Sequence, residues 1–170
     1  MFTDKELIIA IPAFVGMFFG LYNFVRDILK NRVNLRIVPK SVVALGIDDH
    51  GTTIFKWSPH SFSPEDKAEY FAVEIVNQGS ITVTVDSVGF FVKGEDVPLQ
   101  IFKPIPVDEG AWPRRLEPHE AVTVVGSLAD LLASGKCSKL VNAFAETQSG
   151  IIRKGSSKAL RQLVEYASKA

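Results

Sequence analysis

Residues Tyr70–Val92 read YFAVEIVNQGSITVTVDSVGFFV. In the first half Phe71, Val73 and Ile75 recur at every second position among β-branched and aromatic residues, the period of a strand with one apolar face. Gln78, Gly79 and Ser80 break that run, and a second strand begins at Ile81, so the two halves are predicted to pair as a β-hairpin. Within the second half Ile81, Val83 and Val85 share one parity, whereas Val88, Phe90 and Val92 share the other. An inserted residue at Asp86–Ser87 accounts for the switch, which predicts a β-bulge there.

Working outward, the same signals repeat. Val33–Pro39 alternates Val33, Leu35 and Ile37 and is stopped by Pro39, and Ser41–Gly46 and Thr52–Trp57 flank the turn-rich Ile47–Gly51. Ser58–Lys67 carries two prolines and three serines and reads as loop. Val97–Phe102 is a short strand that Pro98 confines to an edge, and Lys103–Glu120, with four prolines, is an extended lead-in to a strand at Ala121–Val125. Ser127 caps a short helix over Leu128–Ala133 that ends at Gly135. Lys139–Glu146 and Ile151–Lys154 form a last hairpin around Gln148–Gly150. A final helix, residues 157–168, starts at a Ser156 or Ser157 cap and aligns Leu160, Leu163, Val164 and Ala167 on one stripe. Many short strands punctuated by Pro and Gly predict a mainly β chain built as an antiparallel β-sandwich over residues 33–170.

The N-terminal part follows a different rule. Leu7–Val25, LIIAIPAFVGMFFGLYNFV, has no charge in nineteen residues, and a helix of that length spans about 28 Å against a hydrocarbon core of ~30 Å. Residues 1–31 are therefore expected to form a single transmembrane helix. Its length, and the absence of a small-residue cleavage site, argue against a removable leader. Gly16 and Gly20 form a GxxxG step that predicts association with another membrane helix. The collar of Arg26, Lys30, Arg32, Arg36 and Lys40, against Asp27 alone, carries +4. Basic residues flanking a span stay cytoplasmic, so the expectation is a single-pass inner-membrane or plasma-membrane protein with its N-terminus outside and its C-terminal domain in the cytoplasm.

The chain has 170 residues and no net charge; residues 41–170 hold thirteen basic and sixteen acidic side chains. A mildly acidic domain without a basic face is a poor nucleic-acid binder. The single cysteine, Cys137, forms no internal disulfide.

The strand, turn and strand of VEIVNQGSITVTVDSVGFFV, followed by RRLEPHEAVTVV, resemble the corresponding segments of immunoglobulin-like β-sandwich domains of small membrane-anchored bacterial proteins. The likeness covers about sixty residues and implies a fold and no activity. It departs from the family at His119, where a glycine often follows the proline, and it lacks the Cys…Trp…Cys signature.

Candidate chemistry is sparse. Asp48, Asp49 and His50 form a corner of metal-ligating types, but a turn ending in Gly51 explains the same residues by turn propensity alone. His60 and His119 lie in proline-marked loops without the spacing that fixes two ligands on one element. No nucleophile elbow or phosphate-binding glycine loop follows a strand. Cys137, between Lys136 and Lys139, is the one thiol whose pKa neighbouring cations could lower. Trp112 with Arg114 and Arg115 offers the aromatic and guanidinium anchor of a protein contact, or a tryptophan folded onto the sandwich. The expected function is that of a membrane-anchored, non-enzymatic interaction or accessory protein without cofactor or metal. Its partners are the lipid bilayer and either a protein or further copies of itself joined through the helix. The alternatives are a tethered small-ligand or metal sensor around Asp48–His60, and a subunit whose apolar helix is buried in a larger assembly.

Overall fold

The computed structural model describes residues 4–47, 53–62, 70–101 and 104–169. In chain order the elements are α1 (Asp4–Lys30), β1 (Leu35–Ile47), β2 (Thr53–Ser58), β3 (Tyr70–Asn77), β4 (Val83–Val92), β5 (Leu99–Gln100), β6 (Ile105–Pro106), β7 (Arg114–Leu116), β8 (Ala121–Ser127), α2 (Leu128–Ala133), a 3₁₀ turn (Cys137–Lys139), β9 (Leu140–Thr147), β10 (Ile152–Gly155) and α3 (Lys158–Lys169). One antiparallel sheet has the order β2-β1-β3-β8-β6 and the other β10-β9-β4-β5, with β7 also pairing β4.

The alternating apolar residues of each sheet meet between them. Ile37, Phe71, Val73, Ile75 and Val122 from the first sheet are buried, as are Val85, Val88, Phe90, Ala143 and Ala145 from the second. Each large side chain so enclosed contributes roughly 1.5–3 kcal/mol relative to exposure. Between Val85 and Ser87 the β4–β9 register shifts by one residue, which lets the two parities of β4 both face inward. α3 closes one end: Ala159, Leu160 and Leu163 are buried, Ser157 Oγ accepts from Leu160 N at 3.1 Å, and Gln162 Oε1 accepts from Phe62 N at 2.8 Å. α2 is capped by Ser127, whose hydroxyl accepts from Asp130 N at 3.2 Å.

The expected hairpin of β3 and β4 does not form. β3 pairs with β1 and β8, β4 pairs with β9, β5 and β7, and the chain between them arches from one sheet to the other. Both strands bury one apolar face, so stacking them across the core encloses more surface than pairing them side by side. Asn77 makes the arch possible. Its fully buried amide donates to the carbonyls of Ile81 (2.8 Å), Leu116 (3.2 Å) and Glu117 (3.2 Å), and its Oδ1 accepts from Gly79 N at 3.0 Å. The turn read as a hairpin signal is a polar knot that replaces ladder bonds where the chain leaves a sheet. The predicted break at Pro39 is also absent, because β1 runs on to Ile47. β2 reaches only to Ser41, so Pro39 occupies an edge portion of β1, where a proline is tolerated.

The N-terminal expectation needs a larger correction. Among the described residues no helix is long and apolar enough to cross a membrane. α1 is a 27-residue helix that carries Asp4, Lys5 and Glu6 at its start and Arg26, Asp27 and Lys30 in its last two turns. The transmembrane anchor is thus corrected to a non-spanning helix. With it go the single-pass membrane topology, the outside N-terminus and the inner- or plasma-membrane placement with a cytoplasmic domain.

Candidate functional site

α1 carries the most unusual surface of the chain. Phe14, Met17, Phe18 and Phe24 are 67, 65, 68 and 63% exposed, and Val15, Phe19, Leu21, Tyr22, Val25 and Ile28 are exposed as well. Its tie to the sandwich is at its C-terminal end, where Ser80 Oγ donates to Lys30 O at 2.5 Å. At 100° per residue the large apolar side chains from Phe24 through Phe14 to Phe19 sweep roughly 220° of the helix, broken by Arg26 near its end. The remaining arc holds Ala13, Gly16, Gly20, Asn23, Asp27 and Lys30, which follow one another at alternating steps of three and four. The stripe is faint in the sequence because its first half is small rather than polar; the three-four spacing is its signal. Gly16 and Gly20 lie in it with nothing within 4 Å of an added Cβ, on the side of the helix opposite Phe14 and Phe18.

The basic collar is divided. Arg26 and Lys30 end α1, Arg32 lies in the turn, and Arg36 and Lys40 belong to β1 on the outer face of the sheet. Lys40 is engaged with Glu74 at 2.6 Å, both half-buried.

Trp112 is folded back on the sandwich. It packs against the core and its Nε1 donates to Asp86 O at 2.9 Å. Arg114 is held by Asp108 at 2.6 Å and Glu120 at 3.7 Å, and Arg115 by Glu117 at 3.0 Å. Arg114 is therefore engaged by neighbouring carboxylates, whereas the side chain of Arg115 stays largely exposed. Glu117 also accepts from Thr82 Oγ1 at 2.5 Å, which, with Arg115, holds its carboxyl below the usual range.

The corner at Asp48, Asp49 and His50 lies outside the described residues. His60 is exposed in a turn in which Ser58 Oγ accepts from the amides of His60 and Ser61, each at 3.2 Å. Among the described residues no three His, Cys, Asp or Glu side chains cluster as metal ligands would. Cys137 is buried, and burial pushes its thiol from 9.0 up to about 11. The flanking lysines do not activate it. His119 has φ +66°, the left-handed region that glycine occupies without strain, which gives the departure at this position a conformational meaning.

Comparison of the chain with family models, with curated proteins and with solved structures finds no match.

Proposed function

We propose that this chain is an interaction subunit rather than an enzyme, built into a protein assembly by α1 packing against α1 of further copies, with the β-sandwich carried on the outside. The observation that supports it is the exposure of Phe14, Met17, Phe18 and Phe24 on a helix that does not fold back onto the sandwich. A helix facing a core typically shows an apolar stripe a little over 100° wide. An arc of roughly 220° accommodates two neighbours, and a closed ring of three or more helices gives every copy two. In such a ring the stripe from Gly16 to Lys30 faces water, where Asn23 and Asp27 keep their hydration. The contact is then the phenylalanine face and not the glycine step.

Sedimentation of the full chain tests this. The wild type sediments as three or more copies, Phe14→Glu with Phe18→Glu dissociates it by at least a hundredfold, and Gly16→Ile with Gly20→Ile leaves it assembled. A monomeric wild type, dissociation by the glycine variant alone, or partition into phospholipid vesicles in place of self-association overturns the proposal.

A further inference from the structure

A cavity of about 570 Å³ opens at the edge of the sandwich between β8 and β5, inside the ~300–1,000 Å³ range of small-molecule sites. It follows from two strands that stop early. Among the described residues β6 pairs with β8 only at Val124 and Val125, leaving Gly126 without a strand on that side, and β5 ends at Gln100. The gap reaches the core, where Phe71 and Phe90 meet edge to face at 5.9 Å between centroids. Ile101 and Leu131 line its sides, and Ser127, Asp130 and Ser134 lie at its mouth.

The polar groups at the mouth differ in what they have left to offer. Ser127 Oγ already caps α2, and Ser134 Oγ donates to Leu131 O at 2.6 Å and accepts from Lys136 N at 3.2 Å. Tyr70 and Gln100 also line the cavity, Gln100 Nε2 donating to Ser87 Oγ; the exposed Asp130 carboxylate is the one charged group among the described lining residues, and Lys136, the cation nearest in sequence, is drawn to Glu95 at 2.6 Å. We propose that this cavity binds a single-chain aliphatic amphiphile whose head donates hydrogen bonds, an alkyl amine or alcohol, with the chain against Phe71 and Phe90 and the head at Asp130. A fatty-acid carboxylate meets like charge at the same mouth.

The full-length chain is titrated with the neutral fluorophore N-phenyl-1-naphthylamine, which is then displaced by dodecylamine, dodecanol or dodecanoate. The expected result is saturable binding, displaced by the amine and the alcohol at least tenfold more effectively than by the acid. A Cβ added at Gly126 meets Ile101 Cδ1 at 3.8 Å and Phe71 O at 3.9 Å, so Gly126→Leu enters the space without a backbone clash. That variant should lose at least tenfold in affinity. Asp130→Lys, on the exposed rim of α2, should reverse the order of amine and acid. Fluorophore bound by α1 instead survives Gly126→Leu unchanged, and that outcome, or an order of displacement indifferent to Asp130→Lys, overturns the proposal without bearing on assembly through α1.

Discussion

Asn77→Ala removes the knot that carries the chain from one sheet to the other, and its cost can be worked from the bonds it makes. The amide nitrogen has two hydrogens shared among three carbonyls, at 2.8, 3.2 and 3.2 Å, and Oδ1 takes one bond from Gly79 N at 3.0 Å. Three effective bonds are therefore lost, not four. At about 1 kcal/mol net each the loss is ~3 kcal/mol, and it grows if the buried carbonyl of Leu116 finds no water. Urea unfolding followed by tryptophan fluorescence measures it as a fall in midpoint at unchanged slope. A loss below about 1 kcal/mol would show that the arch holds without Asn77 and that stacking of the sheets alone sets the crossing.

His119→Gly relieves a left-handed backbone that costs about 1–2 kcal/mol in a residue with a Cβ. It adds ~0.5–1 kcal/mol of unfolded-state entropy, so thermal unfolding should show a net gain of about 0.5 kcal/mol. At Gly155 an added Cβ would collide with the Ile37 carbonyl; Gly155→Ala should lower stability by about 1–3 kcal/mol, read in the same assay. Cys137 should resist alkylation in the folded chain and react on unfolding. Its folded pKa of about 11 lies above the ordinary 9.0, so the unfolded chain loses this proton first. Stability contributed here is complete below about pH 9 and declines toward pH 11, a slope that Cys137→Ala should flatten in pH-dependent unfolding.

The strands were legible wherever one face alone is buried. Phe71, Val73 and Ile75 mark β3, the parity switch marks the bulge of β4, and Ser127 and Ser157 mark helix starts, because each signal is local. Pairing was not legible. The residues Asn77–Ser80 suit a tight turn between neighbouring strands and an arch between sheets equally well, and what decides is how many apolar faces must be covered at once. α1 failed for a related reason. Lack of charge from Leu7 to Val25 suits a lipid core, but apolarity specifies only that water be excluded and not what excludes it. At Trp112–Arg115 the residue types of an anchor were recognised, but their partners Asp86, Asp108 and Glu120 become visible only when β4, β6 and β8 are brought together.

The central claim is that α1 is covered by α1 of other copies, and Phe18, at 68% exposure on a single chain, is the position from which to test it. With Phe18 replaced by a photo-reactive phenylalanine derivative in the full-length chain, irradiation in the producing cell should yield covalent species at two and three times 18.7 kDa, joined through α1. Adducts to lipid or to an unrelated protein, or no adduct at all, would contradict it.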